Sequence, residues 1–334
     1  MINIFIGLSN NQIKSYEALI PKIQGEKILL TSNTLSINED LFSQVIYTSV
    51  TFNNQASSKI QSIKNITSKI KSYKRILKQV EKYKKEKNIK LYFTYIEDIL
   101  TNYMLFFFNK NIKGIVVEDG TLNYYYHSIK SLNKTKVYLK KILCLVYGLN
   151  FKLYKGHSSG IEYTHVEKQY VRSPHLSLFP QKSELLLYSK RTASLTNTFL
   201  IIGQEAYINE NGKDLYLKRL NELISIIKSQ EAYSNTNTIY YKPHRHGARI
   251  DYKLLDDAFK QKTIKILDAN KPLEDLYFNT LASKYIFSFD SSALLNIYLE
   301  ATEEIQKHIK FIVLLKYNKQ LKSIFKKFNF EVIE

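Results

Sequence analysis

The chain has 334 residues, more than one hydrophobic core usually serves and suited to two domains of roughly 150 residues each. Hydrophobic residues make up 44% and charged residues 24%, which excludes a disordered or fibrous polypeptide. The 49 Lys and Arg against 30 Asp and Glu leave a charge of +19, a balance that attracts nucleic acid, acidic lipid or an anionic sugar nucleotide without choosing among them.

The N-terminal segment has no basic start, apolar run and small-residue cleavage site, so no export signal is expected. Short apolar runs at 2–6, 27–30, 44–47, 91–94 and 114–117 predict strands, and the stretches between several of them have helical character. The clearest helix is predicted over 57–87, where Ile60, Ile63, Ile66, Ile70, Tyr73, Leu77 and Val80 recur at steps of three or four among lysines. Such a pattern is that of a surface helix with a solvated basic face. Cys144 is the single cysteine, so no disulfide can form within the chain. The apolar run around it is hemmed by Lys140, Lys141 and Lys152, too short for a bilayer span. In the same stretch Lys134, Lys136, Lys140, Lys141, Lys152 and Lys155 interleave with Tyr138, Leu143, Tyr147, Phe151 and Tyr154, which reads either as packing of the aromatics into a core or as peripheral contact with an acidic membrane surface.

Residues 163–196, with Ser173, Pro174 and Pro180 and no clean period, read as an interdomain connection. Strands are predicted again at 199–202, 238–241, 263–267, 285–289 and 310–315. Alternating strands and helices of this kind build α/β layers on mostly parallel sheets.

Four constellations carry chemically useful groups. Glu118-Asp119-Gly120 follows a buried-looking strand, where a carboxylate points into the ligand crevice of a parallel sheet and can act as general base; an ordinary Asp-Gly turn gives the same triplet. The segment from Lys242-Pro243-His244 to Arg249, with His246 inside it, crowds cationic and imidazole groups at a strand end. It suits a phosphate and a proton-donating histidine, while basic surface loops often carry histidines and His244 with His246 would need added carboxylates to hold a metal. Ser291-Ser292 opens an apolar helix, a seat for an anion or simply an N-cap. Glu274, near a predicted helix start, offers a carboxylate for ribose hydroxyls or for capping.

The order of these four resembles that of bacterial sialyltransferases, which carry an acidic-acidic-Gly motif in the N-terminal domain and His-Pro and Ser-Ser or Ser-Thr motifs in the C-terminal domain. The segments EDGTLNYY, SLFPQKSELL, TFLIIGQEAY, YYKPHRHGAR, KPLEDLY and FSFDSSALLNIY are most similar to glycosyltransferase family 52, the lipooligosaccharide sialyltransferases, with the capsular polysialyltransferases next. Two positions depart: Arg245 stands where the His-Pro pattern has its proline, and Pro180 stands where a family 52 member places an aspartate proposed as base.

The resemblance implies an α/β protein of GT-B fold, two Rossmann-like domains facing a central cleft, with residues 1–185 binding acceptor and including the linker, and 186–334 binding the CMP-sugar. It implies an inverting, metal-independent transfer of sialic acid from CMP-sialic acid to a lipooligosaccharide or capsular glycan. Glu118 would be the base, with Asp119 orienting acceptor or loop. His244 would act on the leaving phosphate. Gly203 and Gln204, Lys242 and Pro243, Glu274 at the ribose, and Ser291 and Ser292 at the phosphate would bind the donor. No metal ligands are implied. The expected location is cytoplasmic and peripheral on the inner membrane face, and a homodimer stays open. A polysialyltransferase, or a transferase for another sugar such as glucose, is the nearest rival. A nucleic-acid-binding protein is the distant one, with the lysine-rich helix as its contact, but no recognisable nucleic-acid module is present and Glu118-Asp119 would have no use there.

Overall fold

Buried apolar runs alternating with amphipathic helices give two parallel sheets, one in each of two units, Met1–Tyr188 and Ser189–Glu334. The structure is a computed structural model that describes residues 1–48, 59–128, 134–245, 247–316 and 319–334.

The first unit runs β1 (Ile2–Gly7), α1 (Asn10–Leu19), β2 (Glu26–Ser32), β3 (Gln44–Thr48), α2 (Lys59–Val80), β4 (Ile89–Phe93), α3 (Ile99–Tyr103), β5 (Lys113–Val117), α4 (Lys134–Val146), β6 (Val166–Val171) and β7 (Ser183–Leu185). Its sheet has the order β3-β2-β1-β4-β5-β6-β7, every pair parallel. Strands of a parallel sheet are covered on both faces, and the two-residue alternation of the strands decides which residue goes where. Ile4 and Ile6 of β1 pack on one face with Ile70, Tyr73 and Leu77 of α2, while Phe5 packs on the other with Ile13, Tyr16 and Leu19 of α1. Helix α1 starts where Ser9 caps it, the side-chain oxygen accepting the Gln12 N–H.

The helix predicted over 57–87 is α2, followed by a 3₁₀ turn at Glu81–Tyr83; residues 57 and 58 lie outside the described residues. The reading of 163–196 as a loose connection is corrected. That stretch supplies β6 and β7, which extend the first sheet, because Val166, Gln169 and Val171 are buried although charged and polar neighbours hide their pattern. In the basic aromatic stretch, Phe151 is buried and Leu143, Tyr147 and Tyr154 lean on the core, while Tyr138 is exposed.

The second unit runs β8 (Thr196–Ile202), α5 (Ile208–Asn211), α6 (Lys213–Lys228), β9 (Thr238–Lys242), α7 (Lys253–Ala258), β10 (Thr263–Ile266), α8 (Leu273–Leu276), β11 (Ser283–Ser288), α9 (Ser292–Glu300), α10 (Glu303–His308), β12 (Lys310–Leu314), α11 (Lys322–Lys327) and β13 (Glu331–Ile333). Its order is β10-β9-β8-β11-β12-β13, again all parallel, with the terminal β13 unanticipated by the sequence reading. In both sheets the first strand lies inside and the chain winds outward to either side, so the winding reverses between β1 and β4 and between β8 and β11. Ligands of doubly wound sheets bind at such reversals, outside the carboxyl ends of the strands. No helix among the described residues is long and apolar enough to cross a membrane.

Candidate active site

Among the described residues, the members of the four constellations stand at or beside a strand's carboxyl end, or on a helix that follows one. In the first unit β5 ends at Val117 and delivers Glu118 and Asp119, and Gly120 turns the chain at φ 74°, a left-handed conformation that glycine adopts without strain. The two carboxylates differ sharply in surroundings. Glu118 is 2% exposed. Its Oε1 accepts from Arg172 Nε at 2.7 Å and lies 2.6 Å from the second guanidinium nitrogen. Its Oε2 accepts from the Arg172 backbone N–H at 2.6 Å and from Tyr124 Oη at 2.7 Å. Burial works against the Arg172 charge, but the facing Glu118 more than offsets it and holds the guanidinium protonated well above its ordinary range.

Asp119 is partly exposed and takes one hydrogen bond, from Gln12 Nε2 to Oδ2 at 2.9 Å. Gln12 is fixed in turn, its Oε1 accepting the Leu8 N–H at 2.7 Å. Burial raises the Asp119 pKa above the usual aspartate range; the Gln12 hydrogen bond and the Arg172 charge oppose the rise, and Glu118 adds to it. Asp119 is thus outside the ion pair that occupies the oxygens of Glu118.

In the second unit the register sets three strand ends side by side: Ser288 pairs with Ile202, and Ile202 with Lys242. The Ser288 hydroxyl donates to the Ile202 carbonyl at 3.1 Å. Beyond these ends lie Gly203-Gln204, Pro243-His244 and Ser291-Ser292. The residue that ties the first two together is Glu205, which the sequence reading passed over. It is fully buried; its Oε2 accepts the His244 backbone N–H at 2.7 Å and its Oε1 accepts Tyr241 Oη at 2.7 Å. Burial raises its pKa, against the lowering effect of these bonds and of Arg249. Gly203 is required by this carboxylate, since a Cβ there would lie 2.7 and 2.8 Å from its two oxygens and would also collide with Tyr241 Oη. Gln204 is nearly buried and donates its backbone N–H to Tyr216 Oη at 3.2 Å.

Lys242 is nearly buried, with Nζ donating to the Ala269 carbonyl at 2.8 Å; burial, then Arg245, lowers its pKa despite Asp268, Glu274 and Glu205 nearby. Ser291 is the N-cap of α9, its Oγ accepting the Ala293 N–H at 3.3 Å, and Ser292 is exposed at the first helical position. Glu274 on α8 accepts from Asn296 Nδ2 on α9 at 2.7 Å, so the carboxylate and the helix start are linked through one helix. The second-unit candidates therefore form one group along the carboxyl edge. The acidic pair belongs to the first unit. His246 lies outside the described residues, and among the described residues no three His, Cys, Asp or Glu are grouped to hold a metal ion.

Arg172, like Glu205, was missed. The signal for Arg172 is its place just past a run of alternating residues, and for Glu205 a carboxylate three residues beyond a buried strand, in the same Gly-Gln-Glu turn from which only the first two were chosen.

Two doubly wound parallel sheets of this kind are the architecture of the GT-B glycosyltransferases. The glycotransferase of kitacinnamycin superposes with a TM-score of 0.54 at 8% identity, covering 100% of this chain and 86% of that one. The glycosyltransferase SnogD from Streptomyces nogalater gives 0.50 at 10% identity, covering 100% and 87%. The chain belongs to the alpha-2,8-polysialyltransferase family, which it matches over residues 2–306. It is thus sialyltransferase-like, as the sequence motifs imply, and the family matched is the second of the two resemblances, with nothing in the match particular to family 52. A search of curated proteins finds no match.

Proposed function

We propose that the protein transfers sialic acid from CMP-sialic acid to the sialic-acid-terminated end of a glycan, of capsular rather than lipooligosaccharide type, forming an alpha-2,8 linkage. The observation that carries this reading is the convergence of Lys242 with His244, of Gly203 with Gln204, and of the α9 N-terminus at three neighbouring strand ends, in a chain of the polysialyltransferase family.

In this reading Asp119 takes the proton of the acceptor hydroxyl, and the oxygen attacks the anomeric carbon of sialic acid as the bond to the CMP phosphate breaks on the opposite face. The raised pKa of Asp119 supports its choice over Glu118, whose oxygens are taken by Arg172 and Tyr124. Glu118 then holds the triplet in place. His244, set by Glu205, meets the charge developing on the phosphate, with Ser292 and the N-terminal amides of α9 beside it. Ser291, which accepts through a lone pair, keeps its hydroxyl proton to donate. Glu274 binds the ribose. The phosphate charge is met by these groups, so transfer proceeds without a metal. The first unit binds acceptor and the second donor, and the protein works peripherally on an acidic membrane face.

Incubation with CMP-sialic acid or UDP-glucose and acceptors ending in galactose or sialic acid, read by mass spectrometry, tests the proposal. A ladder of added sialic acids on the sialylated acceptor is expected. Use of UDP-glucose and not CMP-sialic acid overturns the donor. Single additions to galactose alone overturn the acceptor.

A further inference from the structure

Helix α4 is built the wrong way round for a surface helix. Its inner side carries Val137, Lys140 and Cys144, of which Val137 and Cys144 are buried in the core and Lys140 donates Nζ to the Glu97 carbonyl at 2.8 Å. On the side turned to solvent, Tyr138, Ile142, Leu145 and Val146 are 55, 57, 67 and 72% exposed. The spacing of Tyr138, Ile142 and Leu145 by four and three residues puts them on one stripe, with exposed Lys141 at its margin.

The two helices that build this side are rich in lysine. Helix α2, which packs against α4, has seven Lys or Arg and no Asp or Glu over Lys59–Val80, and α4 itself has four Lys and no acid over Lys134–Val146. Two cations of α2 reach the end of α4 directly: Lys74 Nζ donates to the Tyr147 carbonyl at 2.9 Å, and Lys71 Nζ lies 5.8 Å from the Tyr147 ring centre. At its other end α2 exposes Ile60 and Ile63.

We infer that the α4 stripe and the flanking lysines of α2 and α4 form the face by which the protein lies on an anionic lipid bilayer, Ile142, Leu145 and Val146 entering the interface and the lysines meeting phosphate headgroups. The inference rests on the peripheral-membrane part of the proposed function and names the surface. Exposed apolar side chains beside lysines match a bilayer, which offers both an apolar phase and anions. A second copy of this chain would set two basic faces against each other. A nucleic acid would answer the lysines and leave the apolar stripe in water.

Flotation with vesicles of phosphatidylcholine alone, or with about 30 mol % phosphatidylglycerol, tests the inference. The wild type is expected to float only with the acidic vesicles. The combined change Ile142→Ser, Leu145→Ser and Val146→Ser is expected to lower partitioning at least about tenfold, and Lys71→Gln or Lys74→Gln about fivefold each. These positions are exposed, and an unchanged melting temperature shows that the variants fold. The chain has no Trp, so Val146→Trp is a single reporter whose emission is expected to shift blue with acidic vesicles and to stay put with single-stranded RNA. If the wild type floats and the triple variant floats equally well, the membrane reading stands and this face is wrong. If the wild type does not float, both fall. Salt-sensitive RNA binding through the same lysines, without flotation, also overturns the inference.

Discussion

The backbone N–H of His244 and the carboxylate of Glu205 meet at 2.7 Å, so a fully buried acid decides where the loop carrying the histidine lies. Glu205→Gln keeps the volume but cannot accept on both sides, so either His244 or Tyr241 loses its acceptor. The expected result is a fall in kcat/KM for CMP-sialic acid of about 10–100-fold, the worth of one hydrogen bond to a charged group at about 1.5–3 kcal/mol. The same group sets a pH dependence. Its folded pKa is raised, so the stability it contributes is full below the ordinary glutamate pKa and is lost as pH rises through the raised value. Urea unfolding on either side of that range should show this slope in the wild type and lack it in Glu205→Gln.

Arg172 and Glu118 are both buried, which makes their pair costly to break from one side. Arg172→Met is expected to destabilise the protein by about 3–5 kcal/mol, because Glu118 is left charged and unpaired in the core. Adding Glu118→Gln should recover a large part of that loss. Denaturant titration of the single and double variants measures both. A single variant within about 1 kcal/mol of the wild type would mean the pair behaves as a surface one.

The strands that positioned the site were legible because they are continuous apolar runs: residues 114–117 and 199–202 are buried in the parallel sheets as read. The strands that were missed lack that run. In β6 the sequence Val-Glu-Lys-Gln-Tyr-Val puts Glu167 and Lys168 where a central strand would carry apolar residues, and β7 and β13 are three residues each. The strand-end motifs were legible as a set, since each follows its strand within a few residues. Which carboxylate is held in an ion pair and which is not was hidden. That depends on Arg172 arriving from 54 positions along the chain to fill the oxygens of Glu118, and on Gln12 arriving from 107 positions away to Asp119. Glu205 acts across 39 positions, a distance at which no local pattern reports a partner.

The donor assignment predicts nucleotide selectivity. CMP should raise the melting temperature, since a ligand that binds only the native state adds stability of about 2.7 kcal/mol at a hundredfold excess over its Kd. UMP and GMP should not. Equal shifts with all three, or none with CMP, would remove CMP-sialic acid as donor. Transfer should also persist in EDTA, and abolition with recovery on adding magnesium or manganese would put a metal at the phosphate.

The last prediction separates the two carboxylates. If Asp119 accepts the proton, Asp119→Asn should lower kcat by about two to four orders of magnitude while the CMP-induced thermal shift persists, because the base acts on acceptor and not on nucleotide. The wild-type rate should fall as pH drops through the raised Asp119 pKa, so its acidic limb should lie above the ordinary aspartate range, and this limb should vanish in the residual activity of Asp119→Asn. Glu118→Gln removes the partner of Arg172, and its effect should appear mainly as lost stability, with the surviving folded protein retaining the same acidic limb. Turnover normalised to folded protein, determined by the CMP shift, keeps the two effects apart. Should folded Glu118→Gln lose turnover by the same orders while Asp119→Asn keeps it, the base is Glu118, and Arg172 must release it before the acceptor can be deprotonated. Should both variants keep full turnover, neither carboxylate takes the proton and the inverting mechanism proposed for this site fails.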